Sequence, residues 1–283
     1  MSATETRSVS VFIGATVLFG RVLTNYRNSP GLFAITLAAP LGMMLLFGFV
    51  FGGALSGGGD AAAYRAYLVP GVLVLVAAMG LTSTASTANA DLHSGFTDRL
   101  RALPLSPAAA PAGFALAETV VGVLALGLMS GAGLLLGWRV AATAGEVVVA
   151  VVLLLAFRCA LSWLGIALGA AVRDEQMLQQ TAPLIFGTIM FSNVFVPTAT
   201  MPSVIATIAE WNPVSAIVAA LRDLLGADLP VTTDSAWPMR HPVAAAAAWI
   251  AALFAVAIPI AIRRYSAEAC FATASPMAKP SVS

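Results

Sequence analysis

Charge is what this sequence has least of. Asp, Glu, Lys and Arg make up only 10% of its 283 residues, and lysine occurs once, at Lys279. Soluble domains carry about 25% charged residues. A chain this poor in charge cannot cover a water-facing surface, which excludes a soluble globular domain. Cysteine is scarce too: Cys159 and Cys270 are the only two, and they form no CxxC pair. A disulfide framework or a thiolate metal site therefore has no support. The two histidines, His93 and His241, are far apart and belong to no HExxH motif, so a zinc hydrolase is excluded. No span carries the paired acids or the Ser/His set that hydrolysis inside a membrane needs. No GxxxxGK[ST] phosphate loop occurs, so any ATP used must be bound by another chain. The net charge of +1 gives no reason to expect a nucleic-acid partner.

What is abundant is apolar sequence: 59% of residues, with a mean hydropathy of +0.91. About 20 apolar residues in a helix cross the hydrocarbon of a bilayer. Six such runs are expected. They cover Gly31–Leu55, Leu68–Ala90, Ala112–Trp138, Val147–Val172, Thr181–Val196 and Val243–Ile262. The fold class is thus all-α and membrane-spanning, with the whole chain as one transmembrane domain. Residues 1–30 are expected to hold an interfacial helix over Val9–Tyr26. There Val9, Phe12, Ile13, Val17 and Gly20 share a face, and Arg21 and Arg27 stay with the headgroups. No A-x-A-like cleavage site follows Arg7 and the run Val9–Phe19. Residues 31–196 carry spans one to five, 197–242 an outer segment, 243–262 the sixth span, and 263–283 a polar tail.

Basic residues orient the chain. With the N-terminus cytoplasmic, nine fall inside (Arg7, Arg21, Arg27, Arg99, Arg101, Arg173, Arg263, Arg264 and Lys279). Four fall outside (Arg65, Arg139, Arg222 and Arg240). This excess places both termini in the cytoplasm of a cell-membrane protein. Several glycine pairs have GxxxG spacing, among them Gly127/Gly131 and Gly165/Gly169, and such pairs let helices approach closely.

Two segments outside the spans stand out. The inner loop Asp91–Pro107 sets Leu100, Leu103 and Leu105 among charges and ends in two prolines. It reads as a short amphipathic helix on the cytoplasmic face. The outer segment Met201–Gly226 reads as two short apolar helices broken at Asn212-Pro213. Glu210, Asn212 and Pro213 would lie at the centre of a single span, so a re-entrant hairpin fits better. In it Arg222 and Asp223 would return to the outer surface. Two charges lie within spans, Glu118 and Arg158. They would either line a polar path or pair with each other. Counting rise per residue sets their depths about 10 Å apart, so a direct pair requires Arg158 to stretch inward.

The inner R-L-R-A-L-P-L-S and the outer M-P-x-x-I-x-x-I-A-x-W-N-P-V-S-x-x-V-x-A-L-R-D-L-L-G, set among six spans, resemble the permeases of type-2 ABC exporters. Within these they are most similar to the daunorubicin-resistance type of actinobacteria. The resemblance implies that Asp98, Arg99, Arg101, Leu103, Pro104 and Leu105 form a coupling helix that docks on an ABC ATPase subunit. Asp98 stands where relatives often have glutamate. It also implies that Pro202, Trp211, Asn212, Pro213 and Arg222 belong to a re-entrant hairpin near the pore exit. Two permeases, alike or different, would sit on two nucleotide-binding subunits in the lipid bilayer. The chain would itself be no enzyme and hold no cofactor, ATP being bound by the partner. Its expected work is ATP-driven export of amphipathic drug-like or lipid-like molecules by alternating access. The alternatives are a polysaccharide or glycolipid export permease and a proton-coupled secondary transporter. The aromatic content of 8% leans away from a sugar channel, and no acidic residue at the midplane or inverted repeat supports the second.

Overall fold

The computed structural model of the protein describes residues 20, 24, 28, 30–50, 61–93, 109–172, 174–227 and 235–273. Among the described residues every regular element is helical. The helices are α1 (Pro30–Leu45, continued as a π-helical turn Leu46–Val50), α2 (Ala61–His93), α3 (Ala109–Leu135), α4 (Ala144–Ala171), α5 (Glu175–Gln179), α6 (Thr181–Met190), α7 (Ser203–Trp211), α8 (Pro213–Leu224), α9 (Trp237–Arg240) and α10 (Pro242–Thr273). Apart from Gly20 and Thr24, the expected interfacial helix lies outside the described residues.

Among the described residues four helices are long and apolar enough to cross a membrane: α2, α3, α4 and α10, each with a candidate span of at least 23 residues. They correspond to the second, third, fourth and sixth expected spans. The bent pair α7–α8 counts as a fifth if it crosses as one broken unit. The first expected span is helical from Pro30 to Val50. The fifth, expected over Thr181–Val196, is helical only to Met190. Phe191–Val196 bends away instead, and its backbone groups are met by side chains of other helices.

Helix ends follow local chemistry. α3 stops where Gly137 takes a left-handed φ of +92° and the Trp138 N–H turns back to the Gly133 carbonyl at 3.0 Å. Glycine adopts that conformation without strain. α4 opens on a capping box, with the Thr143 hydroxyl accepting from the Glu146 N–H and the Glu146 carboxylate accepting from the Thr143 N–H at 2.7 Å. Each bond satisfies a donor that the first helical turn leaves open.

α2 is the axle of the bundle. It packs on α1, α3, α4, α5, α6 and α8, and 78% of its apolar window is buried, against 28% for α10. Glycine sets the closest approach. A Cβ at Gly165 would lie 2.7 Å from the Leu81 carbonyl oxygen, and one at Gly169 would overlap the Ala85 carbonyl oxygen. This GxxxG pair is where α4 lies against α2. A Cβ at Gly127 or Gly131 would meet nothing within 4 Å, so that pair makes no close contact among the described residues. Gly169→Ala is therefore expected to lower the thermal midpoint in detergent by a cost of about 1–3 kcal/mol. Gly127→Ala is expected to leave it unchanged. Equal midpoints for the two variants would contradict the packing.

Candidate functional site: two charged centres in the helical bundle

The first centre joins α2, α3 and α4. Glu118 and Arg158 are both buried, at 0% and 3% exposure. Their side chains meet, with Arg158 Nη2 3.3 Å from Glu118 Oε2. The same nitrogen donates to the Glu118 carbonyl at 3.2 Å, and Nη1 donates to Ser162 Oγ at 3.2 Å and Thr84 Oγ1 at 3.4 Å. The depth count from the sequence had made this pair strained, and the geometry shows how it closes. Ser162 lies one turn beyond Arg158 on α4, so the long side chain runs along its own helix towards the C-terminal end.

Room for the guanidinium comes from two glycines. A Cβ at Gly80 of α2 would overlap the Arg158 guanidinium, and one at Gly122 of α3 would lie 2.7 Å from Nε. The helices are thus thinned on two sides of a charge that must be enclosed. An enclosed ion pair is tolerated only with good geometry and further hydrogen bonds. Glu118, Thr84 and Ser162 supply side-chain oxygens to Arg158. One atom is left over: Glu118 Oε1 is buried and has no hydrogen-bond donor among the described residues. Beside this centre a cavity of about 50 Å³ opens between α1, α2 and α3, lined by Leu37, Pro40, Gly80, Ser83, Gly122 and Arg158 among others.

The second centre fastens the broken pair α7–α8. α7 and α8 meet at a bend of 77°. Asn212 makes the corner: its Oδ1 accepts from the Val214 N–H at 2.9 Å, capping α8. Its Nδ2 donates to the Thr188 and Phe191 carbonyls, both at 2.9 Å, holding the corner to the end of α6. Pro213 occupies the first turn of α8, where a missing N–H costs nothing. Trp211 is 53% exposed, and Pro202 is exposed just ahead of α7. Just before the corner, Glu210 accepts from Thr198 Oγ1 and the Ala236 N–H.

Arg222 requires a correction. It does not return to the outer surface; it is 1% exposed. Its Nε donates to the Tyr67 carbonyl at 2.8 Å, Nη1 to the Asn193 carbonyl at 2.9 Å and Nη2 to the Val194 carbonyl at 2.9 Å. Its guanidinium carbon also lies 3.3 Å from the Tyr67 ring centroid, a cation–π contact. The physical reason is the early end of α6. The bend at 191–196 leaves buried carbonyls without helical partners, and a guanidinium supplies several donors in one plane. Gly71 permits the approach, since a Cβ there would lie 2.5 Å from the Val194 carbonyl oxygen. Asp223, its neighbour, is exposed.

Of the residues singled out from sequence, Glu118 with Arg158 form one centre, and Asn212, Pro213 and Arg222 share the other. Asp98, Arg99, Arg101, Leu103, Pro104 and Leu105 lie outside the described residues. Thr84, Ser162, Gly80, Gly122 and Tyr67 were missed. A signal for the first existed: Thr82-Ser83-Thr84-Ala85-Ser86-Thr87 is an unusual density of hydroxyls for a span.

The chain matches the ABC-2 type transporter family over residues 15–225. It is also 31% identical, over 227 residues and 80% of each chain, to the daunorubicin resistance ABC transporter permease protein DrrB1 of Streptomyces coeruleorubidus. The family match spans α1–α8, which hold the two charged centres. This chain belongs to the ABC-2 type transporter family.

Proposed function

We propose that the protein is the membrane-spanning subunit of an ATP-driven exporter that moves amphipathic drug-like or lipid-like molecules out of the cytosol or inner leaflet by alternating access. The observation that carries this reading is the 31% identity to a drug-resistance permease over four fifths of both chains. In this reading six segments cross the cell membrane, both termini are cytoplasmic, and α7–α8 form a re-entrant hairpin on the outer side. Two permeases sit above two nucleotide-binding subunits. Asp98, Arg99, Arg101, Leu103, Pro104 and Leu105 form the coupling helix that receives the motor's stroke. The irregular backbone around residues 191–197 and 212 supports the hairpin, since such backbone is tolerated at membrane depth when protein surrounds it.

Gentle detergent purification from the native membrane tests the assignment. A stoichiometric nucleotide-binding subunit, with ATP hydrolysis stimulated by an amphipathic drug, is the expected result. Recovery of the chain alone would favour a secondary transporter. Arg99→Glu with Arg101→Glu is expected to abolish most of the co-purification while membrane insertion is retained. Undiminished recovery of the ATPase would remove the coupling-helix assignment.

A further inference from the structure

α1 is not a regular rod. Its last turn, Leu46–Val50, is π-helical, a form with i→i+5 bonds that is rare and occurs mostly as single turns at functional sites. Six residues earlier Pro40, which has no N–H to give, already breaks the hydrogen-bond ladder. Around the π turn Leu45, Leu46 and Phe49 are exposed, while Met44 and Gly48 are buried. Beside Leu37 and Pro40 lies the cavity of about 50 Å³. Protein interiors are otherwise close-packed, so α1 has room to turn where its ladder is broken.

The π turn meets the bend that follows α6. The Phe47 ring stacks on the Phe195 ring, with centroids 4.5 Å apart and planes at 26°. Phe195 is buried, and the bend behind it is fixed to α8. Ser215 Oγ accepts from the Asn193 N–H at 3.1 Å, and Arg222 donates to the Asn193 and Val194 carbonyls. Phe47 is thus an aromatic clasp between α1 and that assembly. A π turn winds one residue more than an α turn. Returning it to α register turns the two halves of α1 against each other by one residue's rotation, about 100°. Phe47, near the middle of the turn, moves by about half of that, an arc of roughly 5 Å at the helix surface. A stack at 4.5 Å does not survive such a shift.

We infer that the π turn of α1 is a register switch: wound into α register, it draws Phe47 off Phe195 and releases α1 from the assembly of α6 and α8. This rests on the exporter reading, and adds to it the helix that moves and the contact that it breaks. Phe47 and Phe195 are positioning residues, which hold the resting arrangement and touch no cargo. The surplus residue of the π turn is what gives α1 a second register to adopt, and the broken ladder at Pro40 with the cavity beside it lets the first half of the helix follow.

Cross-linking tests the switch. The full-length chain, with Cys159→Ala and Cys270→Ala, receives Phe47→Cys together with Phe195→Cys. Inverted vesicles of the native membrane are treated with a short, membrane-permeant bis-methanethiosulfonate, either without nucleotide or with ATP and vanadate. The intramolecular cross-link is expected to form about ninefold more slowly with ATP and vanadate, as follows if the resting register falls from about nine-tenths of the molecules to about one-tenth. Equal rates in the two states would overturn the switch. A second variant adds deletion of Leu46, an exposed residue of the π turn. Without the surplus residue α1 has one register, so the cross-link is expected to form at the resting rate in both states. A deletion variant that keeps the ninefold difference would show that the π turn is not the moving part. The comparison between states in the first variant stands whether or not the deletion variant accumulates. Co-purification of the ATPase is read on the same membranes. Equal rates with the ATPase present overturn the switch alone, and equal rates with no ATPase overturn the exporter reading as well.

Discussion

Arg222→Met is expected to leave little folded protein in the membrane. The methionine fills much of the space but donates nothing. The carbonyls of Tyr67, Asn193 and Val194 then lose their charged donor, with no water to replace it. Hydrogen bonds to charged groups contribute about 1.5–3 kcal/mol each, and an orphaned buried acceptor costs a further penalty. The combined loss, discounted for relaxation, is roughly 3–5 kcal/mol, which is most of the stability of an ordinary domain. Arg222→Lys is expected to fail nearly as badly. An ammonium is a point donor and cannot reach three carbonyls arranged around a planar fork. The readout is the amount of monodisperse protein after solubilisation, together with its thermal midpoint. Wild-type yield and midpoint for the methionine variant would mean that Arg222 is not the fastening described.

The second large effect concerns Glu118 and Arg158. Arg158→Gln leaves an uncompensated carboxylate in the middle of the bundle, with Thr84 Oγ1 3.4 Å from Glu118 Oε2. Removing one partner of a buried ion pair costs about 3–5 kcal/mol. Glu118→Gln is milder, since the amide keeps an acceptor for Arg158 and adds a donor. The combination Glu118→Gln with Arg158→Gln is expected to recover much of the loss, because no unpaired charge remains. The double-mutant cycle should return a coupling of about 0.5–3 kcal/mol. Strict additivity of the single effects would show that the two side chains do not act as a pair.

The sequence made the long helices legible because each is an apolar run bounded by Pro, Gly or charge. The hairpin break was legible as well: Asn212-Pro213 combines a capping side chain with a residue that cannot continue a helix. The burial of Arg222 was not. Leu221-Arg222-Asp223 reads as the polar end of a helix, and Asp223 does behave that way. What draws Arg222 inward is a set of carbonyls freed at 193 and 194 by a bend that periodicity does not encode. The Glu118–Arg158 distance failed for a simpler reason. Counting rise per residue locates Cα atoms, whereas an arginine side chain reaches several ångströms along its own helix. Gly80 and Gly122 were invisible for the same cause, since their use depends on a guanidinium arriving from α4. The family kinship was legible throughout, from the inner and outer motifs together.

The hub helix α2 has a mechanical consequence. Its 33 residues make a rod of about 50 Å. Near one end it is bolted through Tyr67 to Arg222 of α8, and two-thirds of the way along it is keyed through Thr84 and Gly80 to α3 and α4. Between these fixtures the helix is continuous through Pro70, so a tilt of the rod carries both with it. A displacement delivered at His93 is expected to reach α8 along that one helix.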